Sequence, residues 1–401
     1  MSSDEISLSV LQNGVVPKVE DAASLLDGAA PDAIYAHVPF CRHKCHYCDF
    51  YSLVDRRDRF GDFVERFERE VEAVRARIDG GSIQTAFVGG GTPTLLPPDD
   101  LRRVLQAVAS LGPAGRIGEF TVEANPETVS DDIAEALVRG GVGRVSIGCQ
   151  SFDPRHLETL ERHHDPESVG RSVGRLRRAG IKRLNLDLIF GIPGSTLDDL
   201  SRDLDRVLEL EPDHVSCYGL VFEPGTPLAE KQRLGRIDAI DQDIEASMYD
   251  LVRRRLAEAG FEHYEISNWA RPGEACRHNL IYWNLGQWVA LGPAAAGNLN
   301  GVRYRNLPRL DDWIDGDGPS PVVDVDRPDR NTAIGETLML GLRLRKGLAR
   351  SVVEPLLDDD PVRAKIVSDH LAAGRLEWRE GRLRITEHTV MLADGVLSDL
   401  V

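Results

Sequence analysis

Tyr35 to Phe50 reads YAHVPFCRHKCHYCDF, a short apolar run leading into a loop that sets Cys41, Cys45 and Cys48 in C-x3-C-x2-C spacing. Three thiolates on one short loop can hold three irons of a cubane cluster and leave the fourth iron open to a ligand. A structural zinc site takes four closed ligands, and a ferredoxin cluster takes four cysteines. The loop follows directly on a strand-like run, which points to a sheet that carries its chemistry at strand ends.

That run, at 33–38, is the first of six. Further apolar runs at 83–88, 118–123, 143–148, 182–190 and 213–220 alternate with helical patterns. Phe60, Phe63, Val64, Phe67, Val71, Val74 and Ile78 keep i, i+3, i+4, i+7 spacing, and Leu197, Leu200, Leu204, Val207 and Leu208 repeat it after Gly194. Six strand–helix units predict a parallel sheet with right-handed crossovers and chemistry at the C-terminal strand ends. A closed eight-fold barrel needs more units, so the fold class is α/β, a partial (β/α)6 barrel.

The pattern divides the chain into a flexible N-terminal arm (1–30), the barrel (31–227), a barrel extension (228–308) and a smaller C-terminal domain (309–401). The arm is short of periodicity and rich in Ser, Asp, Ala and Gly. In the extension, Asp241 to Ala259 predicts one long helix, Phe261 to Ile266 a strand, and Asn268 to Asn300 an irregular aromatic and Gly-rich stretch. Pro308 to Pro328 is rich in Asp, Gly and Pro and reads as a linker. A helix over 332–345, a hairpin over 375–386 turning at Glu380-Gly381, and a last helix predict a winged-helix-like module. Such modules usually bind DNA, but the acidity here favours a lid or substrate-contact role.

With 401 residues, 42% of them hydrophobic, the chain can bury a core of enzyme size. Its net charge of −17, from 48 basic and 65 acidic residues, argues against nucleic-acid binding, which needs Lys and Arg against phosphate. Acidic residues at 4, 5, 20, 21 and 27 do not fit a secretory signal, and no window of about 18 apolar residues offers a membrane span. Six cysteines, three of them clustered, are no disulfide framework. The expectation is a cytoplasmic protein, in a reducing compartment that suits an oxygen-labile cluster.

Gly89-Gly90-Gly91-Thr92-Pro93 follows Ala86-Phe87-Val88, and a backbone without Cβ atoms can approach a ligand closely. It lacks the spacing of a dinucleotide fingerprint and the Lys of a phosphate loop. Glu123, Gln150 and Asp187 lie in or at the ends of later strands, and Arg162 follows Gln150 by twelve residues. Charges in apolar strands are costly unless partnered. Either a ligand partners them, or internal hydrogen bonds to arginines such as Arg144 or Arg183 do.

As a set, YxHxPFCxxxCxYC, GGGTPT, SIGCQSF (146–152) and NLDLIFGIPG (185–194) resemble the radical S-adenosylmethionine (SAM) enzymes. Within them they resemble the oxygen-independent coproporphyrinogen III oxidases and their relatives, the HemW-type haem chaperones. The resemblance covers residues 33 to 400. It implies a [4Fe-4S] cluster on Cys41, Cys45 and Cys48 whose open iron chelates the methionine part of SAM. It also implies SAM contacts at Tyr35, Tyr47, Gly90, Gly91, Thr92, Glu123, Gln150, Arg162 and Asp187. The glycine run would take the amino group, Arg162 the carboxylate, and Asp187 or Glu123 the ribose hydroxyls.

Two features separate the branches. The oxidases carry a further cysteine two places after the third, where this chain has Phe50. Cys276-Arg277-His278-Asn279-Leu280-Ile281-Tyr282-Trp283 resembles the HNxxYW motif of the haem chaperones. His278 can give haem iron an axial imidazole, Tyr282 and Trp283 can pack the macrocycle, and Asn279 can orient the ring or a propionate. The alternative is that the aromatics are core and His278 is a hydrogen-bonded structural residue. The expected function is therefore a haem chaperone that binds haem, the cluster and SAM, and passes haem to an acceptor protein. The alternative is an oxidase that converts propionates to vinyls by radical chemistry. An electron donor, a homodimer and a peripheral membrane contact stay open. His43 and His46 invite a zinc site with the cysteines, which would leave the other motifs unexplained. His163-His164 reads as a local turn pair, Cys149 and Cys217 as small core residues, and Arg343 and Arg345 as solvated.

Overall fold

The computed structural model describes residues 19–55 and 57–401. Each of the six apolar runs forms a strand: β1 (Ala33–Val38), β2 (Thr85–Gly90), β3 (Glu119–Ala124), β4 (Arg144–Gln150), β5 (Arg183–Phe190) and β6 (His214–Gly219). They pair in parallel and in sequence order. Burial on both faces explains their near-continuous apolar character. The helix Phe60–Arg75 turns Phe63, Val64, Phe67, Val71 and Val74 inward. Leu197–Glu209 buries Leu200, Leu204 and Val207 behind a capping box made by Thr196 and Asp199. Each such side chain contributes about 1.5–3 kcal/mol on burial.

The sheet continues past both ends of this series. Beyond β6 lies a short antiparallel pair, β7 (Glu262–Glu265) and β8 (Asn268–Ala270). Beyond β1 lie β9 (Trp288–Leu291), which is parallel to it, and then antiparallel β10 (Ala296–Leu299), β11 (Val302–Asn306) and β12 (Val322–Asp326). The order is β12-β11-β10-β9-β1-β2-β3-β4-β5-β6-β8-β7, an open sheet around a partial barrel.

Three parts of the chain differ from expectation. Residues 1–18 of the predicted arm lie outside the described residues, but the remainder is packed: Glu20 bridges to Val322, and Ala22, Leu25, Leu26 and Ala29 join the core. The stretch read as irregular contains β9 and β10, whose pattern is masked by small residues. A Cβ at Gly297 would lie 2.3 Å from the Tyr304 ring, so glycine there makes room for it. The stretch read as a linker is also built in. Trp313 is fully buried 5.3 Å from Phe63 with the Arg66 guanidinium 4.9 Å from its ring, and β12 completes the sheet. Buried Glu70 ties these pieces together, accepting from the Gly292 and Ser320 amides (2.9 and 3.2 Å) and from Asn306 (3.3 Å).

The small C-terminal module therefore starts after β12. It comprises helix Arg330–Arg343, β13 (Leu348–Ala349), helices Arg350–Asp358 and Pro361–Ala372, hairpin β14 (Leu376–Arg379) with β15 (Arg382–Ile385), and helix Ala393–Ser398. Its strands order β13-β15-β14, a winged-helix arrangement. The hairpin turns at Glu380 and Gly381, both left-handed (φ 52° and 71°), as the twist of a two-residue loop requires. Among the described residues, no helix is long and apolar enough to cross a membrane.

Candidate functional site

The cysteine loop begins where β1 ends. Phe40 anchors it, fully buried 4.8 Å from Phe60 and 5.2 Å from Phe63. The glycine run then clasps the loop backbone: Gly91 N–H donates to the Val38 carbonyl (2.8 Å) and Thr92 N–H to that of Phe40 (2.7 Å). A Cβ at Gly91 would lie 2.6 Å from the Phe40 oxygen, and one at Gly90 (φ 101°) 2.3 Å from the His37 ring. Gly90 N–H donates to Glu123 Oε2 at 3.0 Å. The close approach expected toward a ligand is thus made toward the cysteine loop, and these three amides are engaged within the protein.

A cavity of about 510 Å³ opens at the C-terminal strand ends, a size in the usual range for small-molecule sites. Cys41, Cys45 and Cys48 line it with Tyr47, Gly90, Gly91, Thr92, Glu123, Gln150, Arg162 and Asp187. Tyr35 stands back from this lining; its hydroxyl shares a 3.0 Å hydrogen bond with His37 Nδ1, and His37 Nε2 meets the Tyr51 carbonyl at 2.7 Å. A chain of donors runs between two of the sulfurs. Arg162 donates to Cys45 Sγ (3.6 Å), to Asn125 Oδ1 (2.5 Å) and to the Gly148 carbonyl (2.9 Å). Asn125 donates to Thr92 Oγ1 (3.1 Å), which donates to Cys41 Sγ (3.7 Å). Asn125 is a site residue the sequence reading missed; its signal was a polar side chain directly after β3.

Burial raises the Cys41 thiol and pushes that of Cys48 up to about 12, so binding metal there releases protons. The donor set fits a cluster held through three irons: three sulfurs face one cavity, and two of them already accept hydrogen bonds of the kind that tune such clusters. Room and polarity for a further ligand are also present, because Arg162 Nε and Thr121 Oγ1 are shielded from solvent without a partner among the described residues. Gln150 enters the cavity from a left-handed residue (φ 63°) at an irregularity in the β4–β5 register, a device that re-aims a strand-end side chain.

Glu123 and Asp187 touch the cavity but lie deep in the protein. Burial pushes the Glu123 carboxyl up to about 7, with the nearby Asp187 charge adding to the rise. Burial also raises Asp187, against hydrogen bonds from Ser216, Ser146 (3.0 Å) and Asn185 (2.7 Å). Two carboxylates penalised in this way suit a ligand that brings positive charge. Asp187 also heads a polar column down the barrel. Asn185 Oδ1 meets His214 Nδ1 (2.7 Å), His214 Nε2 meets the Tyr264 hydroxyl (2.8 Å), and Tyr264 is hydrogen-bonded to Asn279.

Asn279 brings the HNxxYW segment to the opposite, N-terminal ends of the strands. The segment forms the helix Arg277–Trp283, a plug in the barrel floor. His278 is 1% exposed; its Nδ1 shares a hydrogen bond with Thr85 at the start of β2 (2.9 Å), and its Nε2 with the Tyr282 hydroxyl (2.7 Å). Its amide donates to Glu119 at the start of β3 (3.0 Å), as does Cys276 Sγ (3.5 Å). Burial pushes the imidazole down to about 3, so it is neutral. The axial ligation expected of His278 is closed in this arrangement, because the helix packs its first turn into the floor and both ring nitrogens are engaged. Tyr282 packs on Trp288 (4.4 Å between ring centres), Trp283 lies under the Arg343 guanidinium (4.6 Å), and Asn279 alone of the four lines the cavity. Arg343 is accordingly packed, where solvation was expected.

The loop histidines do not join the cysteines as zinc ligands. His46 Nδ1 is 3.0 Å from Lys231 Nζ, and His43 stacks on His163 (4.2 Å). His163 and His164 part, the first exposed and the second buried. Phe50 stands at the cavity mouth, 65% exposed.

A family model described as the radical SAM superfamily matches residues 35–207. The chain is 36% identical over 379 residues to the heme chaperone HemW of Mycobacterium tuberculosis (strain ATCC 25618 / H37Rv), covering 92% of this chain and 95% of that one. It is 33% identical over 318 residues to the heme chaperone HemW of Lactococcus lactis subsp. lactis, covering 79% and 83%. Its fold is similar to that of the radical SAM enzyme coproporphyrinogen III oxidase (HemN) from Escherichia coli, with a TM-score of 0.80 at 19% identity over 94% of this chain and 92% of that one.

Proposed function

Because the chain belongs to the HemW family of radical SAM proteins, we propose that it is a haem chaperone, which binds haem, a [4Fe-4S] cluster and SAM and delivers haem to an acceptor protein. The observation that carries this is the span of the likeness to haem chaperones, which takes in 92% of this chain and 95% of one relative's length, well beyond the radical SAM match over residues 35–207. Phe50 supports it: an exposed aromatic ring at the cavity mouth offers contact to a flat apolar ligand, where a cysteine would offer a sulfur ligand.

Cys41, Cys45 and Cys48 hold the cluster, which when bound supplies an open iron and one-electron chemistry. Arg162 takes the SAM carboxylate through the Nε its internal partners leave free. Glu123 and Asp187 face the ribose and the positive charge of the ligand. Thr92 and Arg162 hold the Cys41 and Cys45 sulfurs by hydrogen bonds.

On the haem side, His278 becomes a ligand when the Tyr282 hydroxyl turns away from Nε2, with Asn279, Tyr282 and Trp283 flanking it. Tyr282→Phe removes the competing hydrogen bond and is expected to tighten haem binding several-fold, while His278→Ala abolishes the Soret band of added haemin. If Tyr282→Phe leaves haemin affinity at the wild-type value, His278 is a structural residue and the haem ligand lies elsewhere. The function as a whole is tested on anaerobically reconstituted protein by haemin titration beside a coproporphyrinogen III assay with SAM and a reductant. A Soret band without protoporphyrinogen IX is expected; formation of protoporphyrinogen IX would make the protein an oxidase.

A further inference from the structure

His43, Glu161 and His163 meet at the cluster loop; His43 borders the cavity described above, and Glu161 and His163 lie outside its lining. His43 lies between Cys41 and Cys45, and Glu161 and His163 flank Arg162. One nitrogen of each imidazole and one Glu161 oxygen all lie within 4.8 Å of one another. The His43 Nε2 atom is shielded from solvent and has no hydrogen-bond partner among the described residues; Glu161 Oε2 is 3.6 Å away, too far for one. That same oxygen accepts or shares the His163 Nε2 bond at 3.0 Å, and the two imidazoles stack at 4.2 Å. Glu161 holds this position from a left-handed backbone (φ 53°), a conformation that a non-glycine residue adopts only at a cost. A desolvated, unbonded ring nitrogen aimed at a carboxylate and a second imidazole is an arrangement that one more atom would complete.

We propose that His43, Glu161 and His163 form a site for one divalent transition-metal ion of the zinc or iron(II) class, separate from the cysteine cluster. Two imidazoles and a carboxylate select borderline metals over calcium or magnesium, and three protein ligands leave a position for water. His46 is outside the set: Glu161 Oε1 is 4.0 Å from its Nδ1, which faces Lys231. The ion has a structural consequence. Arg162, between two of the ligands, donates to Cys45 Sγ, and His43 rides on the loop between Cys41 and Cys45. An ion here pins the cluster loop to the Arg162 turn by a second path.

The test uses full-length, cluster-loaded protein equilibrated with zinc and then dialysed. One zinc per chain beyond the cluster iron is expected, and E161Q and H163Q, which lie outside the loop, should each weaken zinc binding roughly tenfold or more. Cobalt(II) added to the C41S/C45S/C48S protein reads the site without the cluster. There a visible cobalt band free of sulfur charge transfer should appear and be lost on adding H163Q. Absence of the extra zinc from wild-type protein, retention of wild-type zinc affinity by both variants, or absence of that band overturns the site.

Discussion

At the C-terminal ends of β1–β6, three cysteines, an arginine and two carboxylates face a cavity; at the N-terminal ends Cys276, at the head of the helix Arg277–Trp283, and His278, within it, pack against Glu119. The residue types overlap, and their circumstances do not. At the floor, Cys276 donates to Glu119 and both His278 nitrogens have partners. At the mouth, Arg162 Nε and Thr121 Oγ1 have none among the described residues, and burial raises two carboxyls that lack a full complement of positive charge. Unmet donors are found at both ends, since Trp283 Nε1 and Arg144 Nε and Nη1 at the floor also have no partner among the described residues; what sets the mouth apart is the cavity, its three sulfurs and two carboxyls raised by burial.

The sharpest way to break this contrast is to exchange a sulfur at each end. Cys45→Ser should abolish cluster assembly, read as loss of iron, labile sulfide and visible absorbance, and Cys276→Ser should leave all three at wild-type levels. Loss of iron in Cys276→Ser would put the floor in the cofactor site. Next comes the plug: His278→Ala leaves the Thr85 and Tyr282 hydroxyls unpaired around a cavity and should cost about 2–4 kcal/mol, read as a fall in the thermal midpoint without haem. An unchanged midpoint would mean the floor is as open as the mouth.

A smaller effect is expected at Glu123. Its folded-state value is raised to about 7, so its stabilising contribution is present below the ordinary carboxylate range and is lost as pH climbs through 7. Glu123→Gln in cofactor-free protein should therefore leave acid stability unchanged and gain about 1–3 kcal/mol at pH 8, the shift discounted for water in the cavity. SAM should remove that gain by bringing its own positive charge; a variant no more stable at pH 8 would show the carboxylate already compensated. The smallest effect is Arg343→Ala. Losing the guanidinium over Trp283 should cost about 0.5–1 kcal/mol and change Trp283 fluorescence without touching iron content.

The six barrel strands were legible in the sequence because each is an apolar run bounded by turns, and the Phe60–Arg75 helix because five of its six patterned residues point inward. The hairpin at Glu380-Gly381 was legible for the same kind of reason, a turn dipeptide between two short alternating runs. β9 to β12 were not. Their strands are only four or five residues long, with Gly297 inside β10, and what fixes them is a distant carboxylate, Glu70, more than two hundred residues away along the chain from Gly292 and Ser320. At the site, Cys41, Cys45, Cys48, Glu123, Arg162 and Asp187 converge as their strand-end positions suggested. Asn125 and His214 went unnoticed because a single polar residue beside or within an apolar strand gives no sign of whether its partner is a ligand or, as for His214, a neighbouring asparagine. His278 is the converse case: its motif points to a haem ligand, and only the structure shows that Thr85 and Tyr282 hold both ring nitrogens, so that a ligand role needs the Tyr282 hydroxyl to turn away.

The clasp between the glycine run and the cysteine loop changes what a defective variant at Gly91 would mean. A methyl there meets the Phe40 carbonyl before it meets anything in the cavity. A Gly91→Ala protein that no longer responds to SAM would then be a phenocopy of a cluster-assembly mutant, diagnosable by its missing iron. Genetic screens that score such alleles as cofactor-affinity lesions would be measuring the scaffold of the metal.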